Sequence, residues 1–201
     1  MTQTTSLHEE RLDHVLEVLR VSGARRVLDL GCGSGSLLLR LLRVPQFTEL
    51  VGLEQSGLSL AQARINLAPY LEDGGRLTLR CGSYQDRDET LVDFDAAAMV
   101  ETIEHVPPHT LSRVEDAVFR QYRPRLLYMT TPNREYNPLY GLGPGEFREP
   151  DHTFEWDRAR FRSWARGVAQ RCGYRVRFGG IGEFHEDFGE PTQTATFERL
   201  P

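Results

Sequence analysis

Two short stretches carry side chains whose types and spacing can do chemistry. The first is Asp29-Leu-Gly31-Cys-Gly33-Ser-Gly35, with Glu54 about 20 residues further on. Glycines at a strand-to-helix junction permit positive φ and let a ligand approach the backbone, while the helix start offers unpaired N–H groups and partial positive charge. An acid ending the next strand can accept hydrogen bonds from both hydroxyls of a ribose. The second stretch is Glu101-Thr-Ile-Glu104-His105, closed by Pro107-Pro108. If that turn is helical, Glu101, Glu104 and His105 share one face, with neighbouring Cβ atoms ~5–6 Å apart. Two carboxylates and an imidazole form a hard, oxygen-rich ligand set, better suited to Mg²⁺ or Mn²⁺ than to thiolate-bound zinc. A solvated charge cluster has the same spacing. What favours a metal is the place, at a strand's carboxyl end beside the glycine turn, where the prolines stop any longer surface helix.

The details of the glycine turn discriminate among ligands. Its spacing is G-x-G-x-G, without the third glycine of the dinucleotide pattern, and Asp29 lies just before it. A carboxylate there would repel a pyrophosphate but welcome the ammonium of a methionine moiety, so S-adenosylmethionine is favoured over NAD. Asp29, Gly31, Gly33 and Glu54 are therefore candidate cofactor contacts. Ser36 serves the cofactor's carboxylate end or caps the helix. Ser83, after the third strand, reaches the adenine edge or is a turn serine. Cys32 reads as a small filler in the turn. His152, in Asp151-His-Thr-Phe-Glu-Trp156, sits where a long loop meets the next helix; alone, it is more often a loop histidine than a ligand.

Elements that would position these groups are legible as alternating patterns. Leu12, Val15, Leu16 and Leu19 mark an opening amphipathic helix. Strands are predicted at 26–30, 50–54, 77–81, 94–100 and 126–130, with helices at 36–43, 58–67 and 111–122 between them. Residues 132–151 hold four Pro and three Gly and read as a functional loop. A helix at 157–172 precedes two closing strands, 174–178 and 194–197, read as an antiparallel hairpin at the sheet edge. The sum is an α/β fold: a mainly parallel, seven-stranded, Rossmann-like sheet with helices on both faces.

The chain's 201 residues suit one domain, and no apolar run approaches the ~18 residues needed to span a membrane. The first ten residues lack the basic stretch and apolar core of a secretory signal. Three cysteines without a C-x-x-C pair argue against disulfides and structural zinc, so a reducing, cytoplasmic setting without a membrane partner is expected. A net charge of −5 argues against indiscriminate nucleic-acid binding. All 24 basic residues are arginines, however, and residues 120–180 hold 12 of them against six acids. That segment can face an anionic partner or simply be a solvated surface.

Four segments together, DLGCG (29–33), ETIEH (101–105), TPNREYN (131–137) and FREPDHTFEW (147–156), resemble the small-RNA 3′-terminal 2′-O-methyltransferases, the HUA ENHANCER methyltransferase family. The resemblance runs from Val27 to about Phe197 and implies a class I S-adenosylmethionine-dependent methyltransferase, here as a free-standing bacterial-type catalytic domain over residues 1–201. It implies that Glu101, Glu104, His105 and His152 hold a divalent Mg²⁺ or Mn²⁺ ion, and that Ser36, Glu54 and Ser83 contact the cofactor. It implies an acceptor, the 2′-hydroxyl of the last nucleotide of an RNA with free 2′,3′-hydroxyls, and an RNA-repair setting beside a kinase-phosphatase-ligase. Glu149 departs from the polar or basic residue expected at its place. One ion chelating both hydroxyls of a terminal ribose would account for selection of a 3′ end. Arginines between Arg120 and Arg177 and the aromatics Tyr136, Tyr140, Phe147 and Phe154 can hold phosphates and stack bases, or pack in the core. The rival readings are a metal-independent methyltransferase of small molecules and a non-catalytic module that binds the cofactor or RNA ends.

Overall fold

A computed structural model describes residues 2–71 and 75–201. The chain opens with helix α1 (Thr2–Val21), then alternates β1 (Arg26–Leu30), α2 (Ser36–Leu42), β2 (Glu49–Glu54), α3 (Gly57–Asn66), β3 (Leu77–Cys81) and β4 (Ala96–Val100). A short α4 (Leu111–Val114) leads into a π-helical stretch (Glu115–Tyr122), followed by β5 (Leu126–Pro132), α5 (Arg158–Cys172), β6 (Tyr174–Ile181) and β7 (Thr192–Arg199). One sheet results, ordered β3-β2-β1-β4-β5-β7-β6. β1 to β5 run parallel, and β7 pairs antiparallel with both β5 and β6. The expected edge hairpin is present and longer at both strands than its apolar residues alone suggest.

Alternating side chains divide the core into two layers, as the period of two requires. Val27, Ala96 and Ala98 pack with α1, α2 and α3, whereas Leu28, Leu30, Ala97 and Met99 pack with the π-helical stretch and α5. Among the described residues no helix is long and apolar enough to cross a membrane.

Two local expectations need correction. The helix predicted at 111–122 widens after Val114 because Glu115 is gripped by Arg120, five residues on (2.8 Å), and by Arg171 of α5 (2.7 Å). In a π-helix, residues five apart stack one turn above another, which an α-helix does not allow. The loop at 132–151 contains a 3₁₀ helix, Arg134–Tyr140, capped by Asn133, whose side chain accepts from the Glu135 N–H and donates to the carbonyls of Phe188 and Glu190. The loop is thereby tied to the β6–β7 connection.

Candidate active site

β1 delivers the chain into the glycine turn at the carboxyl end of the sheet. Gly31, Gly33 and Gly35 all have positive φ. The N–H groups of Gly31 and Cys32 donate to the Leu53 carbonyl and pin the turn to β2. A Cβ on Gly31 would lie 2.6 Å from Thr102 Cγ2, so this glycine permits close approach of the Glu101 turn; one on Gly33 would meet nothing within 4 Å. Glu54 closes the turn, its carboxylate accepting from the N–H groups of Gly33 (2.9 Å) and Ser56 (2.7 Å). In front lies a cavity of about 510 Å³, lined by Gly31, Gly33, Glu54 and Ser83 together with Glu101, Thr102, His105 and Asp151. Gln55, Ser56, Ser59 and Tyr84 also line it, roles the sequence reading did not assign although two of them directly follow Glu54 on the chain. Ser83 also accepts from the Gln85 N–H, so it lines the cavity and braces its own turn.

Two candidate cofactor contacts, Ser36 and Asp29, are not among the residues that line this cavity. Gly35 holds the cap position without a side-chain hydrogen bond, so Ser36 is the first residue of α2 and not its cap. Asp29 sits beneath the turn, 2% exposed, and its Oδ2 has no hydrogen-bond partner among the described residues. Burial, and then the Glu54 carboxylate, push its carboxyl up to about 7. An orphaned buried acid beside a cavity floored by an unobstructed glycine suits a ligand that brings positive charge, as the ammonium of S-adenosylmethionine does.

The Glu101 turn differs from the helical face anticipated. Glu101 has φ +50 and precedes a single 3₁₀ turn, Ile103–His105. Its N–H donates to the Thr130 carbonyl, its Oε1 accepts from Thr130 Oγ1 (2.8 Å), and its Oε2 faces Arg11 Nη2 at 3.4 Å. Glu101 therefore lines the cavity but does not converge with the other three. The turn cannot propagate as an α-helix because Thr153 takes its carbonyls: the Thr153 N–H and Oγ1 donate to the Glu104 carbonyl, and Oγ1 also to that of Val106.

The same bonds bring His152 to Glu104 and His105. These three offer ligand atoms within 4.8 Å of one another. Glu104 is fully buried; its Oε2 accepts from Thr131 Oγ1 (2.9 Å), while Oε1 meets no partner among the described residues. Burial, reinforced by the neighbouring Glu101 charge, pushes its carboxyl well above the usual range. A lone oxygen of this kind, facing two imidazoles, fits a cation. The His105 and His152 rings lie 4.9 Å apart, nearly perpendicular. His152 Nδ1 is 2.6 Å from Glu155 Oε1, and His105 Nδ1 is 3.3 Å from Asp151 Oδ2. With Nδ1 hydrogen-bonded to Glu155, the His152 ring keeps Nε2 for a ligand, and the Asp151 carboxylate beside His105 Nδ1 favours the same arrangement there. Glu155 is itself buried; burial raises its carboxyl, but hydrogen bonds from His152, Asn137 and the Arg148 N–H hold it below the ordinary range. Glu155 and Asp151 flank His152 in the DHTFEW segment and carried no role in the sequence reading; Arg11, 90 positions from Glu101, offered no signal at all.

Of the aromatics that can stack bases or pack, Phe154 is core, stacked on Trp156 at 4.3 Å, Tyr136 is buried, and Tyr140 is 43% exposed. Glu149 is exposed. Cys32 is buried, and burial raises its thiol far above the reactive range, which suits a filler and not a nucleophile.

Comparison with known proteins agrees with this layout. A methyltransferase domain family matches residues 27–125. The methyltransferase domain of bacterial CtHen1 is 38% identical and superposes with a TM-score of 0.88 over 97% of this chain and all of that one. The small RNA 2′-O-methyltransferase of Gallus gallus is 35% identical over 96% of this chain and 54% of its own length, and that of Arabidopsis thaliana 33% identical over 96% and 22%. The chain thus spans about half the length, or less, of these curated relatives. The architecture is that of the class I S-adenosylmethionine-dependent methyltransferases, and the chain belongs to the small-RNA 2′-O-methyltransferase family.

Proposed function

We propose that this chain transfers a methyl group from S-adenosylmethionine to the 2′-hydroxyl of the 3′-terminal nucleotide of RNA. The observation that carries this reading is the convergence of Glu104, His105 and His152, of which His105 also lines the cavity that the glycine turn and Glu54 share. A divalent cation held by those three would lower the pKa of a ribose hydroxyl and fix its direction. Two imidazoles beside one carboxylate shift the preference from Mg²⁺ toward Mn²⁺. Glu101 can become a fourth ligand by exchanging Arg11 for the ion. The Glu54 oxygens, each already accepting one N–H, retain lone pairs for ribose hydroxyls of the cofactor. Each imidazole has one nitrogen engaged by a carboxylate, so a ring that ligates cannot also take the hydroxyl proton. Placing acceptor and donor in one cavity supplies proximity, which lowers the barrier for a poor nucleophile. Membership in an RNA-repair assembly with a kinase-phosphatase-ligase is part of this proposal and rests on the sequence resemblance, and a cytoplasmic setting rests on the cysteine content.

A tritiated-methyl transfer assay tests the reading. RNA ending in a 2′,3′-diol is labelled with Mn²⁺ or Mg²⁺; RNA ending in a 3′-phosphate or a 2′-deoxyribose is not, and EDTA abolishes transfer. Label incorporated equally with EDTA and without RNA would instead indicate a metal-independent methyltransferase of small molecules. Cofactor binding with no transfer to any RNA would indicate a non-catalytic module. Glu101→Ala removes turnover while cofactor affinity, measured calorimetrically, stays within about twofold, because Glu101 bonds to Thr130 and Arg11 and not to the glycine turn or Glu54.

A further inference from the structure

A second cavity, of about 440 Å³, lies between α1, the 3₁₀ helix and the β6–β7 connection. Its walls are Tyr136, Leu139 and Tyr140 of that helix, Phe184 of the β6–β7 connection, and the carboxylates of Glu10 and Glu183. Of the seven large hydrophobic side chains exposed among the described residues, three gather here: Leu139 at 46%, Tyr140 at 43% and Phe184 at 64%. Exposed rings collected in one concavity mark a binding surface, whereas singly scattered ones do not.

The cavity adjoins the metal-ligand cluster. The Arg148 guanidinium lies 5.0 Å from the Tyr140 ring, and the Arg148 N–H donates to Glu155, which in turn holds His152. Asn137, on the same 3₁₀ turn as Tyr136 and Tyr140, also donates to Glu155 at 2.5 Å. On the other side, Glu10 precedes Arg11, the partner of Glu101. The walls of the second cavity are thereby linked, through Arg148, Asn137 and Glu155, to His152.

We propose that this second cavity is a nucleobase subsite, receiving a base from the 3′ end of the acceptor strand between Tyr140 and Phe184. This inference rests on the RNA reading above and names how that acceptor is held. Aromatic faces accept any base by stacking. Glu10 and Glu183 repel phosphate, so the strand enters base-first, and they accept hydrogen bonds from amino and imino N–H groups on base edges. Phe184 makes no ring contact with another aromatic among the described residues, so its face is available.

The test uses the full chain and short RNAs carrying 2-aminopurine, or an abasic ribose, at the last or the penultimate position. Binding quenches 2-aminopurine fluorescence at one of the two positions in the wild type, and Phe184→Ala and Tyr140→Ala remove that quenching. The same variants raise KM for intact RNA about tenfold, and leave KM unchanged for RNA abasic at the quenched position. Both side chains are exposed, so the variants fold, and circular dichroism checks this. Quenching at neither position, or equal KM increases on intact and abasic RNA, overturns the subsite. Wild-type methylation of the intact RNA in the same assay shows separately whether the parent reading stands.

Discussion

Asp29 is the residue whose environment departs furthest from what its chemistry prefers. Its carboxyl titrates near 7 when folded and near 3.8 when unfolded, so between those values the folded chain binds the extra proton. Stability therefore falls as pH rises from about 4 to about 7, by at most about 4 kcal/mol, and is level above that. Urea unfolding across that range, compared with Asp29→Asn, which lacks the dependence, checks the sign. A cationic cofactor favours the ionised form, so S-adenosylmethionine affinity rises through the same window in the wild type and not in the variant. Glu155 acts through His152 and not on substrate. If His152 holds the proposed cation, Glu155→Gln is expected to loosen the imidazole and weaken Mn²⁺ binding about 10- to 100-fold, read from the paramagnetic resonance of free Mn²⁺ without any turnover. An unchanged Mn²⁺ affinity would mean that His152 is held by its backbone alone.

At the scale of elements, the π-helical stretch and α5 are joined through Glu115, whose carboxylate Arg171, Arg120 and the Cys172 thiol all approach. The Arg171 hydrogen bond, with that of Arg120, outweighs burial and holds Glu115 at about 2. Its folded value lies below its ordinary one, so this contribution is full above about pH 4.5 and disappears as pH falls through 2. Glu115→Gln costs about 1–2 kcal/mol at neutral pH, discounted because both guanidiniums are half exposed, and the difference from wild type closes in acid. The element whose form was least legible is the Glu101 turn. Its E-x-x-E-H spacing has the period of a helix, and the left-handed Glu101 and the theft of carbonyls by Thr153 come from β5 and from a segment some 50 residues away. Strand positions, by contrast, were set by local apolar runs, and β1 and β3 begin and end where those runs do.

Over the whole molecule, the arginine-rich segment resolves into two kinds of side chain. Arg120 and Arg171 pair with Glu115, Arg158 with Glu135, and Arg175 and Arg177 with Glu198. Arg160, Arg162 and Arg166 instead lie over the rings of Trp156 and Phe178, with no acidic partner among the described residues. Replacing these three by Ala is expected to lower the slope of log affinity against log salt by about 2 for long single-stranded RNA and to leave trinucleotides unaffected. An unchanged slope assigns them to solvated surface. The alternation of strands and helices, the glycine turn with its acid, and the segments bearing Glu104, His105 and His152 were all determined by residues close together on the chain, since periodicity, turn chemistry and capping act over a few positions. Tertiary structure alone decided that His152 meets Glu104 across 48 positions, that Arg11 holds Glu101 aside, and that Ser36 falls outside the cavity. Such contacts depend on how parallel strands and their crossovers carry distant segments to one end of the sheet, which no short-range pattern encodes.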